Sequence, residues 1–351
     1  MRFSIFNKVL VSSLCLLLVP LIALTFYMEP FSNELTRMGG YLENDYGWNN
    51  PQEHFQKPLF KKASSIEDYT QHYDVIIVGN SFSDDESHGW QNYLANETGL
   101  TILLFNVFSV SVDNIINSDM YQINPPKLFI YESVERNIIS QHNQCEYDKL
   151  PINSDFTPPP FNIDPLSIPV GKIARKRNVS SIKDIDLSSS INYLSKSISR
   201  NLFNVNITEV HPFKLTKHGL FSSKTNDSLL VITRDFQLKD VNFPEIETTK
   251  CSLLLLQNKI RANNKTEFIT LIFPDKTTVY SDFIDDKSYS NMSILSKLED
   301  TPGLNIVPII DDFKQSVSDG VIDFYLPNDT HCGFFAYKQA AEALLELLND
   351  L

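Results

Sequence analysis

The chain has 351 residues, of which 42% are hydrophobic and 21% are charged, as is ordinary for a globular protein. This length suits one large α/β domain or two small ones. The formal net charge of −13 argues against a nucleic-acid partner, because phosphate binding needs clustered Lys and Arg. The four cysteines form no C-x-x-C pair, which argues against a cysteine-based zinc site.

The N-terminal segment predicts a membrane anchor. Arg2 and Lys8 precede an uncharged apolar run from Val9 to Tyr27, close to the roughly 20 residues that a bilayer-spanning helix needs. We expect residues 1–28 to be a cytoplasmic stub and a transmembrane signal anchor, with the positive end inside. The protein would then be a single-pass protein of the inner (cytoplasmic) membrane, its domain in the periplasm or outside. A cleaved signal peptide is the alternative.

Residues 29–70 read as a linker or N-terminal segment, polar and rich in turn residues. The stretch from Tyr41 to Phe55 is too aromatic for a passive linker, so we expect it to pack on the domain.

From residue 71 onward the pattern is α/β. Helices are expected at Trp90–Asn96, at Ser252–Ala262 and at Phe334–Leu348, the last with Phe335 facing inward. Apolar, β-branched runs predict buried strands at Tyr73–Val78, Thr101–Phe105, Lys127–Tyr131, Glu267–Phe273 and Leu304–Ile310. This alternation predicts a parallel sheet with right-handed crossovers, in one domain over residues 71–351 with an insertion at about 139–250.

A serine follows the first strand of that sheet. Gly79 and Asn80 precede Ser81 where the strand gives way to a turn, and sites in open α/β sheets form outside the carboxyl ends of strands. A serine there can expose its hydroxyl beside backbone N–H donors. The alternative is a simple helix cap by Ser81 or Ser83.

A second polar block precedes the last helix. A serine nucleophile needs a base, and the base needs an orienting acid. Asp329 and His331 supply both from one turn: His331 would take the proton of Ser81, and Asp329 would hold the imidazole. The alternative is a capping turn with an exposed His331.

These blocks carry a resemblance to a known family. The Gly79–Ser83 block resembles the GDS-type block of the SGNH/GDSL hydrolase superfamily, with Asn80 where Asp is usual. Further motifs are similar to those of the alginate O-acetyltransferase (AlgX- and AlgJ-like) group, at Asp329–His331 with Gly333 and Ala340-Ala341, at Pro274–Tyr280 and at Tyr131–Arg136. The chain departs from these families in three ways. The serine block precedes the Asp-x-His block, whereas the alginate group has the opposite order. Cys332 follows His331 where Trp is usual, and the glycine of the second block and the Gly-x-Asn-Asp block are missing.

The resemblance implies an SGNH-hydrolase-like three-layer fold with a Ser81–His331–Asp329 triad. The candidate oxyanion donors are the backbone N–H groups of Ser81 and Ser109, with Arg136 or Asn137 as side-chain support. Arg136 could instead be structural, paired with Glu132 or Glu135.

The resemblance implies O-acyl transfer, of acetyl above all, onto a cell-surface or exported polysaccharide, with a membrane acyltransferase partner supplying the acyl group. A carbohydrate esterase or deacetylase with the same triad, or a non-catalytic glycan-binding assembly factor, are the alternatives. No cofactor or metal is expected, because the six other histidines lack ligand spacing. Cys145 and Cys251 could pair in an oxidising compartment, and Cys332 is expected to be a packing residue.

Overall fold

The computed structural model describes residues 2–27, 34–147, 156, 170–177, 187–289 and 293–351. Its α-helices are α1 (Arg2–Tyr27), α2 (Glu34–Gly39), α3 (Glu43–Tyr46), α4 (Trp90–Thr98), α5 (Val112–Ile116), α6 (Asp119–Ile123), α7 (Glu135–Gln141), α8 (Leu187–Phe203), α9 (Phe243–Arg261), α10 (Lys276–Val279), α11 (Leu295–Glu299), α12 (Ile310–Ser318) and α13 (Phe334–Asp350). Its strands are β1 (Gln52–Phe55), β2 (Lys61–Ala63), β3 (Val75–Gly79), β4 (Ile102–Asn106), β5 (Leu128–Val134), β6 (Lys172–Arg175), β7 (Val210–Lys214), β8 (Ser228–Ile232) and β9 (Glu267–Phe273).

A five-stranded sheet in the order β2-β4-β3-β5-β9 forms the centre of the fold, and every neighbouring pair in it is parallel. Both faces of the sheet are covered, which explains why its strands are nearly continuous apolar runs. Ile77 belongs to a core with Trp90 of α4 and Leu344 of α13, whereas Ile76 belongs to a second core with Leu253 of α9. The predicted mixed α/β architecture with a parallel sheet is confirmed.

Four of the five predicted strands are present, as β3, β4, β5 and β9. The fifth, Leu304–Ile310, is wrong: it reduces to a bridge between Ile306 and Thr270. The physical reason is Pro308, which has no N–H to donate to a sheet, and α12 begins at Ile310.

The predicted helices at Trp90 and at residue 334 are present, and the one expected at Ser252 forms the later part of α9. Within α13, Phe335 was expected to face inward but is 47% exposed. Ala336 and Tyr337 are buried in its place.

The segment before residue 71 is part of the folded unit. Leu35 and Phe55 are buried, β2 is an edge strand of the main sheet, and β1 pairs with β6 of the insertion. The expected packing of the Tyr41–Phe55 stretch is therefore confirmed, and part of the expected linker belongs to the sheet. Within 139–250, the described residues also form α8, an antiparallel β7–β8 pair and the start of α9.

Helix α1 is long and apolar enough to cross a membrane. Its stretch Ile5–Ala23 has a mean hydropathy of 2.2, and none of it is buried against the rest of the protein. A signal sequence passes the same test. The helix supports membrane anchoring, while the side of the membrane on which the domain lies stays a prediction.

Cys145 and Cys251 form a disulfide between segments separated by 106 residues. Closing so long a loop restricts the unfolded chain, so loss of the disulfide is expected to lower the free energy of unfolding by about 2–5 kcal/mol. Denaturant unfolding of Cys251→Ser, compared with the oxidised wild type, measures this loss. Reductant should lower the stability of the wild type to that of the variant and leave the variant unchanged; equal stability of the oxidised wild type and the variant would contradict the prediction.

Candidate active site

The turn that carries Ser81 begins where β3 ends, at Gly79, and continues as a short 3-10 turn over Ser81–Ser83. Gly79 is required by a close approach: a Cβ added there would lie 2.6 Å from Glu132 Oε2 and 2.6 Å from Ser83 Oγ. Asn80 caps the turn, because its side chain accepts a hydrogen bond from the Phe82 N–H at 2.9 Å.

A buried carboxylate holds this turn against the neighbouring strand. Glu132 Oε2, on β5, accepts hydrogen bonds from the Asn80 N–H at 2.8 Å and from Ser83 Oγ at 2.7 Å. Trp90 Nε1 in turn donates to Ser83 Oγ at 3.2 Å. Burial raises the pKa of Glu132 to about 7, although these hydrogen bonds act in the opposite direction. The position of Ser81 is thus fixed by contacts on either side of it.

The loop that carries Asp329 and His331 is closed by an antiparallel bridge between Tyr325 and Cys332. Cys332 is fully buried, which confirms its expected packing role. The buried Lys276 Nζ holds the loop by donating hydrogen bonds to the carbonyl oxygens of Leu326 at 2.9 Å and Asp329 at 3.0 Å. Burial lowers the pKa of Lys276 to about 7, against the opposing effect of nearby carboxylates.

Ser81, His331 and Asp329 form a continuous hydrogen-bonded relay. His331 Nε2 lies 2.9 Å from Ser81 Oγ, and His331 Nδ1 lies 2.6 Å from Asp329 Oδ1. Ser81 is exposed, whereas the side chains of His331 and Asp329 are only 25% and 16% exposed. The ring of Phe82 packs against the imidazole with 4.8 Å between centroids. The geometry suits a nucleophile, a base and an orienting acid.

The pKa values of the pair are shifted in opposite directions. Burial alone would lower the pKa of His331, but the adjacent Asp329 carboxylate raises it above its usual value. Burial alone would raise the pKa of Asp329, but the His331 imidazole and its hydrogen bonds lower it. Asp329 therefore stays ionised and stabilises the imidazolium that forms when His331 accepts a proton.

The four oxyanion candidates lie in different surroundings. The Ser81 N–H makes no hydrogen bond within the described part of the chain, which leaves it available. The Ser109 N–H already donates to the Asn106 carbonyl at 2.9 Å, and Ser109 lines a separate cavity. Arg136 and Asn137 line a cavity of about 910 Å³ that does not include Ser81.

Arg136 is held by two buried carboxylates, Asp235 at 3.3 Å and Asp275 at closer range. These are different partners from Glu132 and Glu135, the two that the sequence suggested. The Arg136 guanidinium also lies 5.7 Å from the centre of the Phe82 ring, so it supports the residue that packs on His331. Its contacts fit a positioning role, and a role in oxyanion binding stays a prediction.

The relay opens into a cleft of about 420 Å³. The lining residues come from the N-terminal segment, the serine turn, the histidine loop and α13, and they are Trp48, Gln52, His54, Ser81, Asp84, Asp85, His88, Leu326, Asp329, His331 and Tyr337. Among these, Trp48, Gln52 and His54 belong to the aromatic stretch that the sequence singled out without a role.

Glu34 contacts the loop of the relay, although the sequence did not suggest it as a site residue. Its carboxylate accepts a hydrogen bond from Thr330 Oγ1 at 2.9 Å. Thr330 is the residue between Asp329 and His331 in the loop. Glu34, Asp329 and His331 place possible ligand atoms within 4.8 Å of one another. Two of these residues already belong to the relay, so a bound cation would compete with the hydrogen bonds described above.

Comparison with protein-family models, with curated proteins and with solved structures found no match for this chain. The resemblance to the SGNH/GDSL superfamily therefore depends on the quoted motifs alone and stays a prediction.

Glu132 offers a test of how the serine turn is held. Glu132→Ala is expected to lower kcat/KM for an activated acetyl ester by about 100-fold, because a small displacement of the nucleophile has effects of that order. Glu132→Gln keeps an acceptor oxygen and is expected to retain most activity. Because the buried carboxyl has a raised pKa, ionisation costs the wild type stability as pH rises from about 5 to about 8, so Glu132→Gln should gain stability relative to wild type over that range. Equal activity of the two variants would contradict this account.

Asp329→Asn tests the electrostatic coupling to His331. If His331 is the base, it must be neutral to accept a proton, so kcat/KM of the wild type is expected to fall as pH drops through a pKa above the usual histidine value. The variant is expected to lose roughly 10²–10⁴ in kcat and to have its acid limb at lower pH, since the carboxylate that favours the imidazolium is gone. Asp84→Asn removes another carboxylate of the same cleft and serves as the control. An unmoved acid limb in Asp329→Asn would contradict the assignment.

Proposed function

We propose that this chain is a membrane-anchored O-acyl transferase of the SGNH type that faces the periplasm or the cell exterior. Its reaction would transfer an acyl group, acetyl above all, onto a hydroxyl of a cell-surface or exported polysaccharide. The observation that carries the proposal is the relay of Ser81, His331 and Asp329, with distances of 2.9 Å and 2.6 Å.

In the first half-reaction, His331 Nε2 takes the proton from Ser81 Oγ while that oxygen attacks the carbonyl carbon of the acyl donor. The negative charge that develops on the carbonyl oxygen is stabilised by the Ser81 N–H. The tetrahedral intermediate then breaks its bond to the leaving group, which takes the proton from His331. The product is an ester on Ser81 with His331 neutral again.

In the second half-reaction, a hydroxyl of the acceptor enters the cleft and gives its proton to His331. Its oxygen attacks the Ser81 ester, and collapse of the intermediate returns the proton from His331 to Ser81 Oγ. Asp329 stays ionised throughout and stabilises the imidazolium in both halves. Atoms balance because the acyl group replaces one hydroxyl proton of the acceptor.

The lining of the cleft supports a carbohydrate as acceptor. Gln52 and His54 line the cleft, and the half-buried Trp48 offers an aromatic face. Burial, together with the neighbouring His88, lowers the pKa of His54 to about 4. His54 is therefore neutral at pH 7. Its Nδ1 already lies 2.7 Å from Ser87 Oγ, so Nε2 is the ring nitrogen left to donate or accept one hydrogen bond.

The acyl donor would come from a membrane acyltransferase partner, as the resemblance implies. An enzyme outside the cytoplasm has no acetyl-CoA at hand, and α1 supports a place at the membrane.

Hydrolysis is the second candidate function, and one observation favours it. Ser81 is exposed, so water can reach an acyl group on Ser81 and act as the acceptor. The same triad would then make an esterase or deacetylase of carbohydrates.

Turnover of an activated acetyl ester by the full chain in detergent tests the proposal. Wild type is expected to release the leaving group, and Ser81→Ala to lose at least about 10³-fold of that rate. Ser109→Ala is the matched control, because it removes an exposed serine hydroxyl outside the cleft, and should retain wild-type activity.

Acceptor oligosaccharides then separate the two candidate functions. Acetylated sugar formed faster than free acetate indicates a transferase, and free acetate alone indicates an esterase. Equal rates for wild type and Ser81→Ala would contradict both and favour a non-catalytic glycan-binding role.

A further inference from the structure

Helix α8 is attached to the protein by its polar side. Lys196 Nζ donates to the Met38 carbonyl at 2.6 Å, and the Arg200 guanidinium donates to the carbonyls of Gly39 and Gly40 at 3.0 Å and 2.8 Å. Gly40 has a φ of +62°, and a Cβ there would lie 2.7 Å from Lys196 Cβ. The close approach shows that the polar side of α8 packs directly on the end of α2 and on Gly40.

The opposite side of α8 is apolar and faces outward. Ile191, Ile198 and Leu202 are 55%, 46% and 74% exposed. At roughly 100° per residue, these three positions fall on one side of the helix, away from Lys196 and Arg200. Phe203, the last residue of α8, and Val205 and Ile207 just after the helix are also exposed. A strip of this kind on a protein surface marks an interaction site.

The contact between α8 and α1 indicates which surface the strip faces. Helix α8 contacts α1, whose stretch Ile5–Ala23 is apolar enough to span a membrane. With α1 in the bilayer, as the membrane anchoring proposed above requires, the contacting helix α8 lies close to the membrane. Its polar side is already occupied by the protein, so its apolar side is the one left to face lipid.

The chain connection keeps this surface near the cleft. Tyr27, the last residue of α1, and Glu34 are seven residues apart, which limits their separation to about 25 Å. Glu34 in turn bonds the loop that carries Asp329 and His331. The cleft therefore cannot lie far from the end of α1.

We propose that α8 is an in-plane membrane helix whose Ile191–Leu202 strip inserts into the lipid interface beside α1. The partner is the bilayer surface itself. The proposal goes beyond the acyl-transfer function and does not depend on Ser81 being acylated. It gives the domain a second point of attachment, which would orient the cleft toward the membrane as well as tethering it.

Spin labels on the full chain in vesicles of phosphatidylcholine and phosphatidylglycerol test the proposal. The background variant is Cys15→Ser, because Cys145 and Cys251 are paired and Cys332 is buried. Labels are attached at Ile198→Cys and, as a second position on the strip, at Leu202→Cys. The control is Ile123→Cys, which is 78% exposed. It lies at the edge of the sheet where the strands begin, because the next residue, Asn124, contacts His72 just before β3.

Collision rates with oxygen, which concentrates in lipid, and with a water-soluble nickel chelate are then compared. The labels on the strip should have an oxygen-to-nickel ratio several-fold above that at Ile123, with a depth of about 5–10 Å. A ratio equal to that of the control would overturn the proposal. Protection from both reagents would also overturn it, since a protein surface would then cover the strip. Neither readout involves ester turnover, so its failure is distinct from failure of the proposed function.

Discussion

The hydrogen bond between Ser81 Oγ and His331 Nε2 joins residues 250 positions apart in the chain, and its geometry depends on two buried side chains. Glu132 holds the serine turn from the neighbouring strand, and Lys276 holds the histidine loop through its backbone carbonyls. Both side chains are buried; Glu132 lies near the carboxyl end of β5, and Lys276 begins α10 just after β9 ends. The sheet thus brings together two loops that are far apart in the chain.

A buried network of charges connects this centre to the insertion. Arg136 binds both Asp275, next to Lys276, and Asp235 of the insertion. Burial raises the pKa of Asp275, while Arg136 acts to lower it. Removing one partner of such a network typically costs about 3–5 kcal/mol, because the remaining charge is buried without compensation. Arg136 therefore joins the insertion to the site, and its guanidinium also lies 5.7 Å from the centre of the Phe82 ring, which packs on His331.

Much of the fold could be predicted because its signals are local. Apolar runs identified β3, β4, β5 and β9, and the position of Ser81 after a strand, with Asp329 and His331 before the last helix, was enough to propose that they meet. The wrong strand at Leu304–Ile310 shows the limit of the same signal, since apolar character alone does not account for the missing N–H of Pro308.

What could not be predicted depends on contacts between distant segments. Glu34 lies near the relay through a hydrogen bond to Thr330, 296 positions away, and no local pattern marks such a pair. The carboxylate partners of Arg136 were also missed, because nearby Glu132 and Glu135 were the obvious choices from spacing. The apolar strip of α8 has a helical period, but the period alone does not tell whether the strip faces a core or the outside; its exposure in the fold does.

The central claim is that Ser81 carries the acyl group. The most direct measurement is mass spectrometry of the intact full chain, rapidly quenched in acid after mixing with an activated acetyl ester, followed by peptide mapping. The account predicts a gain of one acetyl group, located on Ser81, in the wild type and no gain in Ser81→Ala. An acetyl group elsewhere, or an equal gain in both proteins, would contradict it.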